Sequence, residues 1–168
     1  MRRLARTSLL ALSLLSACKD KHAAMPPPQE FSADSTAQFC GMLLTEHGGP
    51  KGQIFLRDNQ RPLWFASVLD ALAYTRMPEM PKTIAAIYVN DMGRVKNWDQ
   101  PEKGTWVEAR GAVYVIGSRR RSGMDTDEAV PFGDADAARR FVAQYSGRIV
   151  SFADVPESYI FAGSGGGS

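Results

Sequence analysis

Asp134-Ala135-Asp136-Ala137-Ala138-Arg139-Arg140-Phe141-Val142-Ala143-Gln144-Tyr145, then Ser146-Gly147 and Arg148-Ile149-Val150-Ser151-Phe152, is the stretch whose reading decides the fold class. Ala137, Ala138, Phe141, Val142 and Tyr145 recur at helical spacing and predict one apolar stripe. Asp134 and Asp136 suit the positive end of the helix dipole, and Gly147 suits its close. The β-rich run that follows predicts a strand. Upstream the same order recurs. Phe65-Ala66-Ser67 opens a first helix, Ser67 to Tyr74, as Phe132-Gly133-Asp134 opens the second. Ser67 is its expected N-cap, Val68, Leu69 and Leu72 share a face, and Met77-Pro78-Glu79-Met80-Pro81 stops it. Strands are expected at Gln53-Ile54-Phe55-Leu56 and Thr83 to Asn90, and a further pair at Trp106-Val107-Glu108-Ala109 and Ala112 to Ile116 around Gly111. The expectation is an α+β fold in which two similar ββαβ-type units form one compact domain, with a cleft where they meet.

The chain's ends differ in kind from this middle. Arg2, Arg3 and Arg6 precede an apolar run from Leu9 to Leu15, and Leu15-Ser16-Ala17-Cys18 follows it. Charged, greasy and small residues in that order mark residues 1–17 as a lipoprotein signal peptide, with Cys18 the lipidated residue and membrane anchor. The apolar run is too short to span a bilayer. Residues 18–36, with Met25-Pro26-Pro27-Pro28, read as a flexible tether. Residues 37–162 form the domain, and 163–168 are a Gly/Ser tail of the linker type. Losing the three signal arginines takes the formal charge from +2 to −1. A nearly neutral domain carries no nucleic-acid footprint. Arg119-Arg120-Arg121 is its one dense basic run, read either as a solvated turn or as a docking patch for an acidic partner.

With Cys18 consumed by lipid, Cys40 has no intramolecular partner, and a free thiol in an oxidising compartment needs a reason. In Cys40-Gly41-Met42, an extended backbone would turn positions i and i+2 to one side, so a thiolate and a thioether could converge. Such donors select soft ions, Cu(I) above all, over Mg, Ca or Mn, whereas Zn would recruit more Cys or His. Met124, in the polar run Arg121-Ser122-Gly123-Met124-Asp125, is a candidate third sulfur donor. His47, in Glu46-His47-Gly48-Gly49-Pro50, reads as an imidazole on a flexible turn able to swing in. Against this stands the ordinary reading of a buried Cys, core-filling methionines and an exposed loop His. Met77, Met80 and Met92 could be read as an auxiliary methionine array, but they border a helix end and strands, where gap-filling is the ordinary explanation, and His22 lies in the tether.

On Leu15-Ser16-Ala17-Cys18, Phe39-Cys40-Gly41-Met42, Gly49-Pro50-Lys51-Gly52-Gln53-Ile54, Phe65-Ala66-Ser67, Ile87-Tyr88-Val89-Asn90-Asp91 and Gly123-Met124-Asp125 with Val130-Pro131-Phe132, the chain resembles the NosL family, copper-binding accessory lipoproteins associated with nitrous oxide reductase. The resemblance implies a periplasmic Cu(I) metallochaperone that supplies copper for the reductase's copper centre by docking on the Nos ABC transporter complex. It also implies two similar units related to the domain of alkylmercury lyase, and it carries metal ligation to Cys40, Met42 and Met124. Members often have Gly where this chain has Asp125. Two other classes compete with this reading. A scaffold lipoprotein would hold no metal. A Cys40–His47 lyase or hydrolase lacks any residue recognisable as orienting the His, so no enzymatic activity is expected.

Overall fold

A computed structural model describes residues 25–162; the lipobox, Cys18, His22 and the Gly/Ser tail lie outside these residues. The elements are β1 (Gly52–Leu56), β2 (Leu63–Phe65), α1 (Val68–Arg76), β3 (Ile84–Asn90), β4 (Trp106–Glu108), β5 (Val113–Ile116), β6 (Val130–Phe132), α2 (Ala135–Tyr145), β7 (Arg148–Ser151) and α3 (Glu157–Ala162). Two antiparallel sheets form, in the orders β2-β1-β3-β4 and β6-β5-β7. The expected duplication is present down to its register. Gly52 pairs with Phe65 and Val89, and Val113 pairs with Phe132 and Ser151. In each unit a helix joins the second strand to the third, and the first strand lies between those two.

The helix starts follow from their caps. The Ser67 hydroxyl accepts from Asp70 N, and the Asp134 carboxylate accepts from Asp136 N and Ala137 N, satisfying donors that a helix leaves open at its N-terminus. One apolar core runs through both units, with Ile54, Phe65, Val68 and Leu72 of the first against Tyr114, Ile116 and Val150 of the second. Along α2 the stripe thins outward. Ala137 and Ala138 are buried, while Phe141, Val142 and Tyr145 are half-exposed, with Phe141 stacked on Trp98.

One expectation about strand pairing fails. The segments flanking Gly111 do not pair with each other: β4 joins β3, and β5 lies between β6 and β7. Ala109 N donates to Ile87 O, and Ala109 and Ala112 sink into the core. The chain therefore crosses from one sheet to the other at Gly111 instead of folding back.

Glu128 fastens the units together. Its fully buried carboxyl accepts from Val68 N, Leu69 N and Ala129 N, so a residue of the second unit caps the helix of the first. Burial pushes this carboxyl up to about 8, against the pull of those three backbone donors. Between the ordinary carboxyl range and about 8, the unfolded chain has released a proton that the folded chain keeps. Stability contributed by the protonated group is thus full below the ordinary value and is lost as pH rises through that window. Denaturant midpoints should fall between pH 5 and pH 8, and Glu128→Gln should flatten that slope. Glu128→Ala, which strands the helix donors, should cost on the order of 3 kcal/mol.

Candidate metal site

Cys40 stands at the tip of a tight turn. Thr36 bridges Leu43, Ala37 N donates to Met42 O, and Gly41 N donates to Ala37 O. Gly41 takes φ +69°, a left-handed conformation that glycine adopts without penalty, and no atom lies within 4 Å of where its Cβ would be. The thiol is free and exposed, and Met42 is 42% exposed. The extended backbone expected of this motif is therefore replaced by a turn: Cys40 and Met42 share it through a chain reversal, not through strand alternation. Phe39 seats the turn on the fold, its ring 5.5 Å from Phe65 and 6.4 Å from Tyr74 of α1.

From Met42 the chain runs through a single 3-10 turn, Leu44–Glu46, whose Leu44 is fully buried, into His47. The flexible turn expected here is a clamped one. His47 is only 7% exposed. The Lys51 ammonium donates to Gly48 O and Gly49 O, and Gly49 N donates to Trp98 O. Burial brings the Lys51 amine down to about 8. The His47 Nε2 atom is buried without a hydrogen-bond partner. A polar atom so placed costs about 1–3 kcal/mol unless something outside the described contacts satisfies it. Close by, burial pushes the Asp70 carboxyl up, while Ser67 and His47 pull it down.

Met124 is 37% exposed on a loop of the second unit. Ser122 N donates to Thr126 O, their hydroxyls share a hydrogen bond, and Asp125 N donates to Ser122 O. Gly123 lies directly on the His47–Gly48 backbone: a Cβ there would fall 2.3 Å from Gly48 N, 2.5 Å from Gly48 O and 2.9 Å from His47 C. The Met124 loop thus abuts the segment that follows the Cys40 turn. Both sit over α1, the turn through Phe39 on Tyr74 and the loop through Glu128 at the helix start. Among the described residues no three His, Cys, Asp or Glu side chains gather into a metal cage. A metal site here would have to draw on sulfur from methionine as well. Cys40, Met42 and Met124 are exposed, the His47 Nε2 atom has no partner, and donors of these types would suit a soft ion.

Asp125 has φ +56°. This left-handed conformation is one that glycine takes without penalty, and Asp is among the few other residues that tolerate it. Asp125→Gly should shift stability by no more than about 1 kcal/mol, while Asp125→Val should cost about 2 kcal/mol, read by urea unfolding. Loss of the exposed Arg121 contact to Asp125 should add little.

Sequence reasoning passed over Lys51, Trp98 and Glu128, which hold the loops in place. The glycine density of Gly48-Gly49-Pro50-Lys51-Gly52 was the available signal, because close backbone approach excludes side chains. No helix among the described residues is long and apolar enough to cross a membrane.

The NosL family model matches residues 28–160. The copper-binding lipoprotein NosL of Achromobacter cycloclastes is 46% identical over 151 residues, covering 89% of this chain and 78% of that protein. That of Stutzerimonas stutzeri is 28% identical over 165 residues, covering 95% and 85%. Among solved structures, the crystal structure of the copper chaperone NosL from Shewanella denitrificans superposes with a TM-score of 0.74 at 27% identity, covering 79% of this chain and 98% of that one. The solution structure of apo-NosL from Achromobacter cycloclastes gives 0.50 at 45% identity, covering 70% and 94%. By the family model and by the 46% identity to a curated member, the chain belongs to the NosL family.

Proposed function

We propose that the protein is a copper chaperone of the bacterial envelope, anchored on the periplasmic side through lipid on Cys18, that carries one Cu(I) ion on Cys40, Met42 and Met124 with His47 as a further donor. Copper is its cargo, delivered to the machinery that assembles the nitrous oxide reductase copper centre, by way of the Nos ABC transporter complex. The observation that supports this reading is the packing of Gly123, next to Met124, on the His47–Gly48 backbone that follows the Cys40 turn, with the His47 Nε2 atom left without a partner.

The chemistry suits a carrier. Thioethers carry no proton to lose and favour the reduced ion, and a single thiolate holds it firmly without locking it in. The sulfur atoms belong to exposed residues, so an incoming ligand can attack while donors leave one at a time. Relatives named as copper-binding lipoproteins and as a copper chaperone point to a non-enzymatic role.

The test is an anaerobic Cu(I) titration against a competing chelator, followed by X-ray absorption on the loaded protein. One ion per chain in a sulfur-dominated shell is expected. Failure to retain copper, or a shell of nitrogen and oxygen alone, would overturn the proposal.

A further inference from the structure

Away from the sulfur loops, a cavity of about 260 Å³ opens in the crease between the two units, lined by Thr75, Arg76, Lys82, Ile84, Ile87, Arg110 and Phe152. Three of these side chains are cationic and none is acidic. Arg76 ends α1, Arg110 lies on the crossing between the sheets, and Phe152 follows β7, so neither unit forms the cavity alone. The two guanidinium groups approach the Phe152 ring, at 5.8 Å for Arg76 and 6.0 Å for Arg110. Like charges drawn to one ring repel each other, and the aromatic face returns only part of that cost.

The charges are unevenly answered. Arg110 pairs with Glu108 at 3.4 Å, and that carboxylate also accepts from Gly111 N. Lys82 donates to the carbonyls of Thr75 and Met77 at the C-terminal end of α1. Arg76 donates through Nη2 to Phe152 O, but its buried Nε has no hydrogen-bond partner. A guanidinium is charged at every physiological pH and presents its N–H groups in a fixed fork, the geometry that matches a carboxylate or phosphate. Two cations with no carboxylate partner among the described residues, a buried N–H without a partner, and apolar lining from Ile84, Ile87 and Phe152 describe a receptor waiting for a negative group.

We propose that this crease is an oxyanion site, separate from the copper loops, that takes a phosphate group with Arg76 as its principal donor and Lys82 and Arg110 as flanking charges. Phosphate of this kind reaches an envelope protein either free or as the phosphodiester of a lipid headgroup. The two sources share the recognition chemistry and differ in whether a substituted phosphate fits.

The test is NMR on the metal-free full-length protein, following arginine Nε–H resonances at constant ionic strength. The probes are inorganic phosphate, then monomeric dihexanoyl phosphatidylglycerol. Saturable shifts of the Arg76 Nε–H signal, with Arg119, Arg120 and Arg140 unmoved, are expected, and Arg110→Gln and Lys82→Gln should each weaken binding about tenfold. Saturation by both probes supports the site with a lipid headgroup as source, and saturation by phosphate alone supports it with free phosphate. Shifts that never saturate, or that are equal across all arginines, overturn the site as simple screening. Arg76→Lys keeps the charge and removes the fork, so a folded variant that binds as tightly as the parent also overturns it.

Discussion

Cys40→Ser is expected to weaken Cu(I) binding by at least about a hundredfold, since removal of even an outer-shell support commonly costs 10–100-fold and this change removes the only thiolate. Cys40 is exposed and free, so the variant should keep its fold to within about 0.5 kcal/mol. That separation gives the prediction its force, because lost affinity cannot be assigned to lost structure. Met42→Leu and Met124→Leu are of similar volume and should each cost about tenfold. Acid should weaken the parent as protons compete for the thiolate, while the Cys40→Ser variant should keep only the part of that dependence that His47 contributes. Competition against a Cu(I) chelator across pH measures all of these. Undiminished affinity in Cys40→Ser would remove the cysteine from the site and leave the sulfur reading without its anchor.

How far the sequence carried this result depends on the range of the forces involved. The helices were legible because their stripes and caps are local: Ser67 and Asp134 bond to donors within three residues of themselves. The duplication was legible for the same reason, since each unit repeats a short pattern in the same order. The three-residue strands β2 and β6 were not, because each runs into the helix opening it precedes, Phe65-Ala66-Ser67 and Phe132-Gly133-Asp134, and is hidden by that signal. Nor was the crossing at Gly111, which depends on Ala109 bonding to Ile87 some twenty positions earlier. At the site, sulfur type and exposure could be read from Cys40, Met42 and Met124 by composition and by the polarity of their neighbours. The burial of His47 could not, because it is imposed by Leu44, by Lys51 and by a loop far along the chain. A glycine-rich stretch looks mobile in one dimension, and here it is the close packing of three loops that requires the glycines.

Gly123→Ala turns that packing into the second large prediction. The added methyl would meet Gly48 N at 2.3 Å, Gly48 O at 2.5 Å and His47 C at 2.9 Å. These are backbone atoms, and they cannot swing aside as a side-chain tip would. Lys51 holds the Gly48 and Gly49 carbonyls from one side and Trp98 O holds Gly49 N from the other, so the clamped segment yields little. The Met124 loop must therefore move away, at a cost of about 3 kcal/mol in urea unfolding. Gly41→Ala is the matched control: it meets nothing within 4 Å and bears only the strain of φ +69°, about 1 kcal/mol. If Met124 and the Cys40 turn share one ion, Gly123→Ala should also lower Cu(I) affinity about as far as Met124→Leu does. In the double variant the second change should then add almost nothing, because both act on the same donor. Fully additive losses would mean that the loop contact and the thioether act separately, and an unchanged affinity in Met124→Leu would require the shared site to be redrawn without Met124.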